Sequence, residues 1–171
     1  TNSEATNYNV DATVDNAACE YNIASSAAIT TCGGIFVDSG GPLGEYSNIE
    51  NQAITIYPDN EDEYVSLYFS EFELESPTYD NMTIYDGENT SAPILINGVG
   101  YTELFQQTIY ASPSNDSGAL TITFTSDAIV TYPGWVAEIG CTTYGPCFGF
   151  DVTPIATYET DIGTSDASAY I

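Results

Sequence analysis

The sequence predicts an all-β fold, an antiparallel β-sandwich, with a mostly irregular N-terminal leader and a C-terminal β segment. Aromatic residues make up 13% of the 171-residue chain, with 14 Tyr and 7 Phe. Together with frequent Thr, Ile and Val, they favour pleated, half-buried surfaces. No long stretch repeats its apolar residues at the helical period. Short alternating runs with turn residues between them recur instead, as in a two-sheet sandwich.

Residues 1–28 are small and polar and are expected to be a leader or linker. Within them Asn9, Asp11 and Asp15 form a candidate second metal loop, with a solvated linker as the alternative reading. From Cys32 the run Gly-Gly-Ile-Phe-Val reads as a strand, followed by a Gly-rich turn at Asp38-Ser-Gly-Gly41. Strands are expected at 53–57 and 64–70, flanking the acidic hairpin tip Pro58-Asp-Asn-Glu-Asp-Glu63. The stretch Phe69–Gly87 then gives a strand ending near Glu75, a short loop through Asp80, and a second strand over 81–85. Further strands are expected at 94–96, 104–110, 119–125 and 134–140. Leu120, Ile122 and Phe124 alternate before the run breaks at Ser126-Asp127. After Cys147 one strand and a partial second are expected, too few to stand alone.

Glu75, Asp80 and Asp127 each fall where a strand gives way to a loop. Three carboxylates from two separated segments converge only around a cation. The chain has none to offer: it carries 25 Asp and Glu, no Lys, Arg or His, and a net charge of −25. Side-chain salt bridges are therefore excluded, and the compact state repels itself. Nucleic acid is excluded as a partner because it needs a basic footprint. An anionic membrane surface is disfavoured for the same reason, and no apolar run is long enough for a helix to span a bilayer. Metal ions and basic groups on other molecules are the natural partners, and adaptation to a salty medium is the alternative reading of the acidity. Without His, the Asp38-Ser-Gly-Gly41 similarity to a serine-protease sequence supports no triad. The chain is not expected to be an enzyme, since it lacks His or Lys as base and Arg or Lys as anion stabiliser.

The order Phe69-x-x-Phe-x-Leu-Glu75, Tyr79-Asp-x-x-x-Ile-x-Asp-Gly87, Phe124-x-Ser-Asp127 and Gly134-Trp-Val-Ala-Glu-Ile139 resembles the calcium-binding CUB domains, as does Tyr46-Ser-Asn48. The resemblance covers roughly Cys32 to Cys141 and implies a jelly-roll sandwich over 29–141. It implies calcium held by Glu75, Asp80 and Asp127, with carbonyls near Ala128–Val130 completing the shell. Tyr46 would orient the calcium-binding Glu, with Tyr79 and Tyr132 as neighbours. In that family the ion does no chemistry. It organises loops whose acids accept a basic side chain of a partner.

Cys19, Cys32, Cys141 and Cys147 without His argue for disulfides in an oxidising compartment, and they permit three pairings. Since Cys32 opens the CUB-like region and Cys141 ends its last strand, Cys32–Cys141 is the expected bridge. The leader resembles an Asn/Asp-rich motif of secreted Bacteroidetes proteins, and residues 148–171 resemble the opening of repeats in large gliding adhesins of that group. In a bacterial source, the glycosylation sequons at Asn81, Asn89 and Asn115 are expected to be mostly bare. The chain starts without Met and is expected to be an excised piece of a secreted or cell-surface protein. Its expected role is a calcium-stabilised extracellular binding or adhesion module for a protein or glycan ligand. One alternative is a structural subunit of a filament, assembling with its neighbours through terminal segments, with 142–171 as linker, following module or donor strand. Another is an accessory domain of a secreted protease.

Overall fold

A computed structural model describes residues 2–12, 19–24 and 27–144. Asp15, Cys147 and the segment 148–171 lie outside the described residues. Ten strands appear among the described residues: β1 (Glu20–Asn22), β2 (Ala28–Thr30), β3 (Ile35–Val37), β4 (Asn51–Tyr57), β5 (Tyr64–Glu73), β6 (Asn81–Asp86), β7 (Ile94–Val99), β8 (Thr108–Tyr110), β9 (Leu120–Thr125) and β10 (Gly134–Thr142). They build two five-stranded sheets, ordered β1-β3-β10-β5-β8 and β2-β4-β9-β6-β7. The all-β sandwich expected from alternation is the fold observed.

Two ladders depart from a purely antiparallel scheme: β1 runs parallel to β3, and β2 runs parallel to β4. Both come from short strands that precede the central ones and lie along their free edges. β1 lies within the segment read as a leader, and it joins the core through Tyr21 and Ile23, with Ala5 behind them. The strand expected over 104–110 is confined to 108–110. Ahead of it, Tyr101 and Gln106 adopt positive φ, and backbone bonds from Phe105 to Thr102 and from Gln107 to Leu104 coil the chain. Leu104 alone plugs this turn into the core.

Inward-facing residues of both sheets fill the interior. Val65, Leu67 and Phe69 of β5 oppose Ile54 and Ile56 of β4 and Ile122 and Phe124 of β9. Trp135 sits between Phe36 and Phe124, with ring centroids 5.5 and 5.0 Å away. Burial of such side chains stabilises by roughly 1.5–3 kcal/mol each. The disulfide Cys32–Cys141 joins the approach to β3 to the end of β10 across 109 residues of sequence, with Cα atoms 5.1 Å apart. Cys19 is half-buried and in no disulfide among the described residues.

Candidate metal centre

At one end of the sandwich the β5–β6 loop meets the segment after β9. Ligand atoms of Glu75, Asp80 and Asp127 lie within 4.8 Å of one another. The β5–β6 loop is a tight turn in which the N–H groups of Tyr79 and Asp80 donate to the Ser76 carbonyl. Asp80 is fully buried. Its Oδ1 accepts the Asp127 N–H at 2.7 Å, and its Oδ2 accepts the Tyr46 hydroxyl at 2.6 Å. The same Tyr46 oxygen accepts the Glu75 N–H at 3.2 Å. Burial, then the hydrogen bond to Asp80, push the Tyr46 phenol well above its ordinary range, so it remains a donor. Its ring packs edge-on against Phe124 at 5.1 Å, which ties the centre to the core.

Two loops brace the acids. The segment before β4 runs beside the segment after β9. Ile49 N–H donates to the Asp127 carbonyl at 2.7 Å, Ser126 Oγ–H to the Ser47 carbonyl at 2.7 Å, and Tyr46 N–H to the Tyr132 carbonyl at 3.3 Å. Ile49 adopts φ of 62°, rare for a β-branched residue. Asp127 caps its own turn by accepting the Ile129 N–H at 2.9 Å. On the other side Tyr101 exchanges backbone bonds with Leu74 and Glu75. Gly100 lies so close there that a Cβ would sit 2.4 Å from the Glu75 carbonyl oxygen.

The oxygen set suits a hard cation. Glu75 Oε2 is buried and has no hydrogen-bond partner. An orphaned buried carboxylate oxygen is uncommon in proteins and costs free energy unless a cation meets it. Burial first, then the charges of Asp127 and Asp80, raise the Glu75 carboxyl above its ordinary value. Each cause is what a divalent ion would offset. All-oxygen donors of three acids favour calcium or magnesium over softer metals.

Other residues singled out in the sequence fall differently. Tyr79 is 54% exposed, and Tyr132 is half-buried beside Tyr46. Asn9 and Asp11 are exposed, and Asn9 Oδ1 accepts the Asp11 N–H at 2.9 Å, closing an Asx turn. A second acidic grouping, Glu63 beside Cys32 and Cys141, is no ligand set, because both sulfurs are in the disulfide. Asp38 and Glu50 escaped the sequence reading. Buried Asp38 accepts the Gly40 N–H at 2.8 Å and the Trp135 N–H at 2.9 Å, holding the ends of β3 and β10 together. Gly134 makes this possible: at φ of 78°, a Cβ there would lie 2.0 Å from Asp38 Oδ2. Glu50 accepts the Ser47 N–H at 2.7 Å and the Ser39 hydroxyl. The Pro133-Gly134-Trp135 run was the signal for a special backbone conformation there.

A family model described as the CUB domain matches residues 42–139, more than half of the chain. Cubilin of Canis lupus familiaris is 30% identical over 116 residues, 63% of this chain. Human cubilin is 31% identical over 119 residues, 64% of this chain. The chain spans about 3% of the length of these relatives. Among solved structures, the full extracellular region of zebrafish Gpr126/Adgrg6 superposes with a TM-score of 0.56 at 18% identity, over 68% of this chain and 14% of that one. The MASP-1 CUB2 domain bound to Ca2+ gives 0.52 at 21% identity, over 67% of this chain and 97% of that one. At such identities the likeness is one of fold.

Proposed function

The chain belongs to the CUB domain family, and on that premise we propose that it is a non-enzymatic extracellular binding module whose loops are organised by calcium at Glu75, Asp80 and Asp127. The observation that carries this reading is the buried Glu75 Oε2, unpartnered beside two further carboxylates within 4.8 Å. When bound, the ion supplies charge neutralisation and fixes the approach of the β5–β6 loop to the segment after β9. Tyr46 positions Asp80 and the Glu75 backbone, and the Ile49 N–H holds the Asp127 carbonyl.

A basic group of a protein or glycan ligand is the partner that such an acidic end of the sandwich would accept. The chain itself has no Lys, Arg or His, so this group comes from another molecule. The setting we propose is a surface adhesin or filament at the cell surface. It is supported by relatives in which the matched region is about 3% of a much longer protein. Calcium in a structural neighbour, the MASP-1 CUB2 domain, supports the choice of metal.

The test is thermal unfolding with calcium and with chelator, at fixed ionic strength, for the native chain and for Asp127→Ala. Selective binding to the folded state stabilises by about 2.7 kcal/mol at a hundredfold excess over Kd. A shift in the native chain that shrinks in Asp127→Ala is expected. No shift in the native chain would sink the proposal, and an equal shift in both would move the ion elsewhere.

A further inference from the structure

The end of the sandwich that carries the metal centre is acidic in the middle and apolar at its rim. Each of the three acids has an exposed large apolar residue bonded to it or next to it. Tyr101, 57% exposed, donates its N–H to the Glu75 carbonyl. Tyr79, 54% exposed, immediately precedes Asp80. Ile49 and Ile129 bracket Asp127: the Ile49 N–H donates to its carbonyl and the Ile129 N–H to its Oδ1. These two isoleucines are 77% and 78% exposed. The segments that build this rim, 45–50, 74–80, 100–101 and 126–132, all lie among the described residues. Two of the exposed side chains also stand on strained backbone, since Ile49 and Tyr101 adopt φ of 62° and 49°. Bulky and β-branched residues rarely adopt that region, and where they do the strain commonly marks a ligand-binding element.

We infer that this rim selects a protein ligand, a segment in which one basic side chain is flanked by apolar ones. The inference rests on the calcium-organised acidic centre proposed above and adds what must surround the basic group. The chain has no Lys, Arg or His, so a second copy cannot supply that group. Two chains of net charge −25 also repel each other. Apolar neighbours of a docked basic residue would cover Ile49 and Ile129 and keep water from the acids between them. Contacts that exclude water strengthen a charge pair at the middle of an interface. Isoleucine side chains offer a sugar neither a hydrogen-bonding group nor a flat ring to stack on. The rim therefore fits a peptide segment rather than a glycan.

The experiment uses the full chain at fixed ionic strength, with each protein first saturated with calcium as judged by its own thermal shift. Three capped tripeptides, Leu-Lys-Leu, Gly-Lys-Gly and Leu-Gln-Leu, and the amino sugar glucosamine are then titrated and followed by NMR. Leu-Lys-Leu is expected to bind roughly tenfold more tightly than Gly-Lys-Gly, because its side chains cover the rim. It should also bind more tightly than uncharged Leu-Gln-Leu and than glucosamine. Ile49→Asn combined with Ile129→Ser removes both aliphatic side chains, and Asn tolerates the left-handed backbone at position 49, so the fold is kept. This double variant should bring Leu-Lys-Leu down to the level of Gly-Lys-Gly. Equal binding of Leu-Lys-Leu and any other probe, binding of none, or a preference that survives the double variant would each overturn the inference. Each of those results leaves calcium at Glu75, Asp80 and Asp127 standing. A native chain with no calcium shift would remove that reading and this inference together.

Discussion

Tyr46 joins two environments that otherwise repel each other. Its ring belongs to the core through Phe124, and its hydroxyl satisfies buried Asp80 while receiving the Glu75 N–H. Tyr46→Phe keeps the packing and strips Asp80 of its shortest hydrogen bond. A loss of about 1–3 kcal/mol is expected, measured by denaturant unfolding in chelator, together with weaker calcium binding by calorimetry. Asp38 gives a pH prediction of unusual sign. Burial lifts its carboxyl to about 6, with Glu50 adding to the rise, despite the opposing Trp135 and Gly40 N–H groups. The unfolded value is about 3.9, so between the two the folded state binds the extra proton. The contribution is fully present below about pH 4 and is lost as pH rises through about 6, on the order of 2–3 kcal/mol. The melting temperature in chelator should therefore fall from pH 4 to pH 7, and less steeply in Asp38→Asn. A rise across that interval in the native chain would contradict this account. Asp38 was illegible in the sequence because one acid among 25 gives no sign of burial. Its long-range partner, the Trp135 N–H, lies on β10, nearly a hundred residues away.

Strands with regular alternation were legible because period-2 burial leaves a direct trace. β5, with its Val65, Leu67, Phe69 and Phe72 inward, is the clearest case. The three-residue strands β1 and β2 leave too short a trace, and their parallel pairing depends on edges built later in the chain. The coil ahead of β8 was misread because Leu104, Phe105, Thr108, Ile109 and Tyr110 are strand-favouring residue types, while positive φ at Tyr101 and Gln106 breaks the extended run. Convergence of Glu75, Asp80 and Asp127 had a signal, since each acid sits at a border between strand and loop: Glu75 and Asp127 just after β5 and β9, and Asp80 just before β6. The braces around them, Ile49 on Asp127 and Gly100 on Glu75, join irregular segments and carry no periodic sign. The disulfide is the strongest element-level restraint. Closing a loop of about 100 residues stabilises by about 4.7 kcal/mol in the chain-entropy account. Cys32→Ser with Cys141→Ser should lower stability by several kcal/mol in non-reducing denaturant titrations. A double variant as stable as the native chain would show that the two sheets hold without it.

For the molecule as a whole, charge sets the conditions under which the packing suffices. The core opposes the mutual repulsion of 25 acids that have no basic side chain to answer them. Raising salt from about 0.01 M to about 1 M shortens the screening length from about 30 Å to about 3 Å. The melting temperature in chelator should rise with salt, and calcium should add a further increment that sodium does not reproduce. A salt-insensitive melting temperature would mean that the acids are spaced widely enough to be indifferent to one another.

The strand order also dictates a sequence of events in time. β10 lies at the middle of its sheet, and β3 and β5 are joined there only through it. Yet β10 is the last of the ten strands to leave a ribosome or a secretion channel. Until Thr142 has emerged, β3 and β5 have no common neighbour, Asp38 has no Trp135 amide to hold, and Cys32 has no Cys141 to meet. A chain arrested before Gly134 would expose two unpaired strand edges, so this half of the sandwich closes in one late step rather than growing strand by strand.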